Sequence, residues 1–212
     1  MTTQAVSKPQ PVVGEMELLR IVRRAFECAV GIPVDADLPL GRQNAKRSQN
    51  WVTCLRNEFD AAYRQAGDEA VRAFCKACGD NKADFGLNEL LHDVCVCRVA
   101  TVPSRTHRKP LMFVTDVLWQ VESEFRRSGT EAVKDFNKLI LGSSQTKLFV
   151  GPITNGLDAD LAVLTEPAKR CTGEVYVAFI AHPNSWTASP PKQPRLYRFD
   201  SASLGWHPVG GL

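Results

Sequence analysis

The sequence predicts an α/β fold with a helical layer at its N-terminus, and three observations lead to this class. Apolar residues recur at helical spacing from Glu15 to Ala29. From Asp93 onwards the chain instead shows short runs rich in valine and aromatic residues, which favour strands. A helical pattern separates two of these runs, which predicts a right-handed parallel crossover at residues 118–151. Helices followed by such a unit indicate one α/β core beneath a helical layer.

The helical layer is predicted to contain three helices. The first begins at Glu15 and ends at a Gly-Ile-Pro sequence, which stops a helix. Residues 31–48 contain two prolines and are expected to form a loop. The second helix is expected to be capped by Ser48 or Asn50, and a third, short helix follows at about 68–78.

The strands are predicted from the apolar runs. Residues 93–100 form the first strand and residues 111–125 the second, as one long bent strand. The remaining predicted elements are, in chain order, a helix opened by Ser128 or Thr130, a buried strand at 147–151, a strand at 175–181, and a closing hairpin through 196–199 and 205–206.

The composition bounds the class of protein. A chain of 212 residues fits one domain, which we divide into a flexible N-terminus (1–14) and a single α/β domain (15–212) with a helical layer (15–84) and a core (85–212). The net charge of +3 does not by itself indicate a nucleic-acid or membrane-surface protein. No apolar run approaches the roughly 18 residues that span a bilayer, so no membrane partner is expected. The odd count of seven cysteines and the lack of an apolar leader predict a cytoplasmic protein with free thiols.

The carboxylates of the second predicted strand are its most informative feature. Side chains alternate along a strand, so Gln120, Glu122 and Glu124 share one face. Two neighbouring carboxylates on an otherwise apolar strand repel each other and are costly to bury, and a divalent cation relieves both problems. Asp93 opens the preceding strand and would join them if the two strands are neighbours. The alternatives are a solvated edge for the glutamates and a turn or cap residue for Asp93.

Four motifs in this part of the chain resemble those of the restriction-endonuclease-like, PD-(D/E)xK, nuclease superfamily. They are NELLHDVCVCR (88–98), VLWQVESEF (117–125), DFNKL (135–139) and TKLFVG (146–151). The resemblance covers about residues 85–155 and is closest to an uncharacterised bacterial branch with an Asp…Glu-x-Glu variant of the motif. It implies a mixed central sheet with a crossover helix after the Glu-x-Glu strand.

The resemblance also implies a metal site. Asp93 matches the first metal-binding acid of the family and Glu122 the second, and together with the backbone carbonyl of Ser123 they would hold Mg²⁺ or Mn²⁺. Glu124 stands where the family usually has a lysine, and it would bind the metal or orient the attacking water. Glu89 is a candidate fourth acid.

The remaining roles follow from the missing lysine. Lys138, in the helix after the strand, would supply the positive charge and stabilise the developing negative charge. Gln120, on the same strand face, would position a phosphate or a water. An exposed ion pair between Asp135 and Lys138 is the alternative interpretation of that helix.

These features predict a metal-dependent nuclease that hydrolyses phosphodiester bonds, with DNA favoured over RNA as the partner. The basic residues Arg105, Arg108 and Lys109 would contact phosphates, which adds affinity without sequence readout. The alternative is a catalytically inactive nuclease-like module for binding or assembly, since the lysine position is altered. A homodimer is left open.

The cysteines offer a competing site. Cys75, Cys78, Cys95 and Cys97 give the spacing C-x2-C-x16-C-x-C, which approaches a four-thiolate zinc pattern but has one spacer residue in its second pair. We favour buried thiols, because the second pair lies in a strand that takes small apolar residues. A redox role for Cys75 and Cys78 is not expected, since the helix predicted there lacks the strand context of such motifs.

Overall fold

The computed structural model describes residues 13–86, 88–104, 110–187 and 191–210. Within these ranges the protein forms one seven-stranded mixed sheet and five α-helices, which confirms the α/β class. Almost all of the N-terminal segment predicted to be flexible lies outside the described residues.

The elements alternate in the predicted way through most of the core. In chain order they are α1 (Glu15–Gly31), α2 (Leu40–Gln65), β1 (Val71–Phe74), α3 (Lys82–Phe85), β2 (Val94–Val102), β3 (Leu111–Ser123), α4 (Gly129–Leu141), β4 (Thr146–Pro152), α5 (Leu157–Ala168), β5 (Glu174–Ile180), β6 (Arg195–Asp200) and β7 (Gly205–Pro208). The strands β2 to β7 and helix α4 confirm the corresponding sequence predictions.

The strands lie in the sheet in their chain order, from β1 to β7. β1, β2 and β3 pair antiparallel, β3, β4 and β5 pair parallel, and β5, β6 and β7 pair antiparallel again. The parallel pairs need crossover connections, which α4 and α5 provide. The predicted crossover helix after the Glu-x-Glu strand is therefore present.

The two faces of the sheet have different covers. Trp119 and Val121 of β3 point into a core shared with α1 and α2, where the Trp119 ring packs at a tilt against Phe59 with their centroids 5.2 Å apart. Phe136 of α4 and Phe149 of β4 belong to a separate core on the other face. Residues of β3 that alternate with Trp119 and Val121 consequently point toward α4.

The helical layer departs from the prediction in two places. Helix α2 begins at Leu40 and not after residue 48, because Pro39 stands at its N-cap and a glycine in the first turn does not stop a helix there. Residues 71–74 form the short edge strand β1 and not a helix, since Val71 and Ala73 alternate with Arg72 and Phe74 along its pairing with β2. Helix α5, with Leu161 and Leu164 buried, was not predicted, since no element is assigned from the sequence between the strands at 147–151 and 175–181.

The cysteines of the two long helices correct a further expectation. Cys28 of α1 and Cys54 of α2 form a disulfide, so the thiols are not all free. Disulfides are uncommon in reducing compartments, and the cytoplasmic location stays a prediction. Across the described ranges, none of the helices combines the length and apolar character needed to cross a membrane.

Candidate functional site

Strands β2 and β3 bring Asp93 and Glu122 to neighbouring positions. Their antiparallel register sets Val94 opposite Val121, so the next pair outward is Asp93 and Glu122. The backbone N–H of Ser123 donates a hydrogen bond of 2.9 Å to Asp93 Oδ2. Burial raises the pKa of Asp93, and this hydrogen bond offsets part of the rise. The pairing of β2 with β3 therefore places Asp93 opposite Glu122, as expected if these two strands are neighbours.

Glu122 is the most buried acid of the group, with 1% of its surface exposed. Its Oε2 accepts a 3.0 Å hydrogen bond from Lys138 Nζ, whereas Oε1 is buried without a hydrogen-bond partner among the described residues. Burial raises the pKa of Glu122 to about 8, the negative charge of Asp93 adds to the rise, and Lys138 opposes it. An unsatisfied buried carboxylate oxygen is costly unless a cation or a proton reaches it.

Helix α4 supplies the cation of the site. Lys138 Nζ lies 3.0 Å from Glu122 and 2.8 Å from Asp135 Oδ1, so one ammonium joins β3 to the helix. Burial lowers the pKa of Lys138, but the two carboxylates raise it by more, and the lysine stays charged. The predicted i,i+3 pair exists, although it is not merely an exposed pair, because Lys138 also reaches the buried Glu122.

Glu124 lies just beyond the end of β3 and is half-buried. Its Oε1 accepts a hydrogen bond of 2.5 Å from the backbone N–H of Arg126. Burial raises its pKa, and a hydrogen bond with Asp135 raises it further. Asp135 therefore contacts both Glu124 and Lys138, whereas the sequence interpretation considered it only as the ion-pair partner of Lys138 and not as a site residue. Its only sequence signal is its position one helical turn before Lys138.

Gln120 is held by the loop after α4. Its side-chain oxygen accepts a 3.1 Å hydrogen bond from the backbone N–H of Ser144, and it packs so closely on Gly142 that a Cβ there would lie 2.0 Å from it. Its side chain also lines a groove with Lys138. The contacts give Gln120 a structural task, and its predicted role toward phosphate or water stays a prediction.

Within the described residues, the structure does not place the other predicted site residues in direct contact with Asp93 or Glu122. Glu89 is exposed and lines the same cavity as Asp93. Burial is the main cause of the raised pKa of Asp93, and the negative charge of Glu89 makes a smaller contribution. Arg105, Arg108 and Lys109 lie outside the described residues.

Two cavities open beside the acids. We call the first the Asp93 cavity; it has a volume of about 500 Å³ and is lined by Ser48, Gln49, Val52, Lys76, Ala77, Glu89, Asp93, Ser123 and Phe125. The second, of about 300 Å³, contains Glu124 together with Arg126, Arg127 and the start of α4. Basic side chains therefore line both cavities next to the acids.

The acids fit a magnesium site in chemistry. Asp93 and Glu122 offer carboxylate oxygens, the ligands that Mg²⁺ prefers, and Glu122 Oε1 has no other partner in the described ranges. Over the same ranges no group of three or more His, Cys, Asp or Glu residues is already arranged to hold a metal ion. Asp93 and Glu122 would therefore be the two carboxylate ligands of a magnesium ion, with Lys138 beside them.

The four cysteines considered for zinc divide between two faces of the sheet. Cys75 and Cys78 belong to the core beneath α1 and α2. Cys95 and Cys97 belong to a separate cluster with Phe74 on the opposite face. Because the sheet separates the pairs, they do not form one four-thiolate site.

Comparison of this chain with known protein families, with curated proteins and with solved structures finds no match. The assignment of a function therefore depends on the geometry of the acids and of Lys138.

Proposed function

We propose that the protein is a metal-dependent nuclease that hydrolyses phosphodiester bonds, with DNA favoured over RNA. The observation that carries the proposal is the buried Glu122, paired with Lys138 on one oxygen and, within the described residues, without a hydrogen-bond partner on the other. A buried carboxylate of this kind is costly to stability, and perturbed acids of this kind cluster at functional sites.

Asp93 and Glu122 are the residues that would hold Mg²⁺ or Mn²⁺. When bound, such an ion polarises a phosphoryl oxygen and lowers the pKa of a bound water. The Ser123 N–H fixes Asp93 through its hydrogen bond, so one ligand is positioned before a metal arrives.

Lys138 carries the positive charge that the family usually places at the position of Glu124. Its side chain is half-exposed, so the ammonium that contacts Glu122 could also meet a bound phosphate. Asp135 holds Lys138 from the helix side and contacts Glu124. We assign Asp135 as a positioning residue, since it acts through these two neighbours.

The chemistry of the surroundings supports an anionic substrate. Lys76 lines the Asp93 cavity, and Arg126 and Arg127 line the neighbouring one. Contacts from these side chains to phosphates would give affinity that falls with rising salt. Arg105, Arg108 and Lys109 remain predicted phosphate contacts.

A cleavage assay with supercoiled DNA, single-stranded DNA and RNA tests the proposal. We expect cleavage with Mg²⁺ or Mn²⁺, none with EDTA, and a loss of at least about 100-fold in Glu122→Gln and Asp93→Asn. Glu166→Gln is the matched control, because Glu166 is an exposed acid in an i,i+3 pair with Lys169. Cleavage that is unchanged in both site variants would exclude this mechanism.

The Lys138–Glu122 ion pair also favours a second candidate, a nuclease-like module that binds without cleaving. In that case Lys138 neutralises Glu122 and takes the place of the metal. Titration calorimetry distinguishes the two: DNA binding without any heat of Mg²⁺ binding at millimolar concentration supports the module and contradicts the nuclease.

A further inference from the structure

The turn after β1 brings two thiols together. Cys75 and Cys78 follow the strand directly, and their sulfur atoms lie 2.8 Å apart. The backbone N–H of Cys78 donates a 3.2 Å hydrogen bond to the carbonyl of Cys75, which closes a β-turn. Such a turn keeps its first and last Cα within about 7 Å, and disulfides join Cα atoms at about 4.4–6.8 Å. The backbone is already shaped for a bond between the two sulfurs.

The two thiols have different surroundings. These favour Cys78 as the attacking thiol and Cys75 as the resolving thiol. The hydrogen bond from Cys75 lowers the pKa of Cys78 to about 7, burial opposes this change, and the Arg56 guanidinium lowers the pKa further. The same hydrogen bond and burial raise the pKa of Cys75. Cys78 keeps 8% of its surface exposed and Cys75 none, so reagents meet Cys78 first.

The turn is anchored on its inner side and open on its outer side. Arg56 Nε and Asn81 Nδ2 each donate a 2.9 Å hydrogen bond to the carbonyl of Ala73, which holds the end of β1. Lys76 and Ala77, the two residues between the cysteines, are exposed and line the Asp93 cavity. Solvent therefore reaches the turn through that cavity.

We propose that Cys75 and Cys78 are a reversible dithiol–disulfide pair that exchanges with small-molecule disulfides. The Cys78 thiolate attacks one sulfur of the small disulfide, forms a mixed disulfide and releases one small thiol, which takes up the proton of Cys78. Cys75 then loses its proton and attacks the Cys78 sulfur, which breaks the mixed bond and releases the second thiol. The two protein thiols are oxidised and the small disulfide is reduced to two thiols.

The remaining thiols provide internal controls. Burial raises the pKa of Cys95 and of Cys97, so both are inert thiols of the core. Cys171 is partly exposed, but burial raises its pKa. Among the described residues no second cysteine lies beside it that could resolve a mixed disulfide.

Oxidation in glutathione buffers tests the proposal on the full chain. The protein is equilibrated at increasing ratios of oxidised to reduced glutathione, trapped by alkylation after acid quenching, and mapped by peptide mass. We expect two fewer alkylated thiols, both on the peptide containing Cys75 and Cys78, and recovery of both on return to reduced glutathione. Oxidation confined to other cysteines, or five alkylated thiols at every ratio, would overturn the proposal.

Cys75→Ser and the control Cys97→Ser show which thiol attacks. Without its resolving partner, Cys78 is expected to accumulate as a mixed disulfide with glutathione, whereas Cys97→Ser behaves as the parent protein. Cys78 is also expected to react with a disulfide reagent at least about tenfold faster than Cys95. If Cys75→Ser does not fold, the peptide map of the parent protein alone decides, and equal reaction of Cys78 and Cys95 in it contradicts the proposal.

Discussion

Lys138 Nζ lies 3.0 Å from Glu122 Oε2, and the two side chains are unequally buried, since the lysine is 49% exposed and the glutamate 2%. The buried partner carries most of the desolvation cost, while Lys138, although held by Glu122 and Asp135, is still partly open to solvent. Since breaking a buried pair costs more than its formation contributes, the state of Glu122 should be visible in the stability of the whole chain.

The first prediction is that metal-free stability falls as pH rises. The folded-state pKa of Glu122, about 8, lies above its ordinary value of 4.5, so the folded protein holds a proton in this window that the unfolded chain has lost. We expect the wild-type Tm in EDTA to fall between pH 5.5 and 8.5, and that of Glu122→Gln to fall much less. Differential scanning calorimetry measures both, and Glu166→Gln should keep the wild-type slope. Equal slopes in all three proteins would contradict the assigned burial of Glu122.

The second prediction concerns metal binding. At pH 8, Mg²⁺ should raise the Tm of the wild type, because a ligand that binds only the folded state stabilises it. Glu122→Gln and Asp93→Asn should lose this rise, whereas Glu166→Gln should keep it. A rise of the same size in every variant would place the ion elsewhere.

The third prediction tests Asp135. Asp135→Asn removes the charge that holds Lys138 from α4, so we expect kcat for DNA cleavage to fall about 10–100-fold with little change in KM. Steady-state kinetics measure the change, and Glu166→Gln, in the similar i,i+3 pair of α5, is the control. A change in KM alone would assign Asp135 to substrate binding.

The fourth prediction compares two glycines with the same backbone angle. Gly173 and Gly67 both have φ of +76°, but a Cβ at Gly173 would lie 2.2 Å from the carbonyl oxygen of Gln145, whereas nothing lies within 4 Å at Gly67. Gly67→Ala should cost about 1 kcal/mol from backbone strain, and Gly173→Ala clearly more. Urea unfolding measures both, and equal losses would mean that the loop before β5 relaxes.

The fifth prediction concerns the link between the long helices. The Cys28–Cys54 disulfide closes a separation of 26 residues, so replacing both by serine should lower the free energy of unfolding by about 3 kcal/mol. Denaturant unfolding with and without reductant measures the loss. The serine variant should be insensitive to reductant.

The sequence could predict the proximity of Asp93 and Glu122 because it follows from strand alternation and from the pairing of consecutive strands. It could not predict the position of Asp135, which depends on where α4 crosses β3. Alternation also accounts for Glu124, because its backbone N–H donates a 2.9 Å hydrogen bond to the carbonyl of Val150 and so continues the pairing with β4 one residue past the end of β3. The side chain of Glu124 consequently meets Asp135 and the Arg126 backbone.

Helix α2 and strand β1 were mispredicted for related reasons. The segment before residue 48 contains Pro39 and Gly41, which punctuate a chain in general but are tolerated at the first turn of a helix. Residues 71–74 are too short to show a period, and only their pairing with β2 makes them a strand. The sequence interpretation gave Cys75 and Cys78 no redox role because it predicted a helix there. The structure has strand β1 in front of this pair, so that objection no longer applies.

Each strand of the sheet pairs with the strand that precedes it in the chain. During synthesis, every new strand therefore meets a finished edge, and the sheet can grow in one direction as the chain emerges. Helix α1 packs mainly on α2, but it precedes the sheet in the chain and shares its core with Leu196 of β6 and with Val209, which follows β7. Part of the burial of α1 therefore waits until β6 has paired with β5, and a nascent chain that stops before β6 leaves that part of α1 exposed.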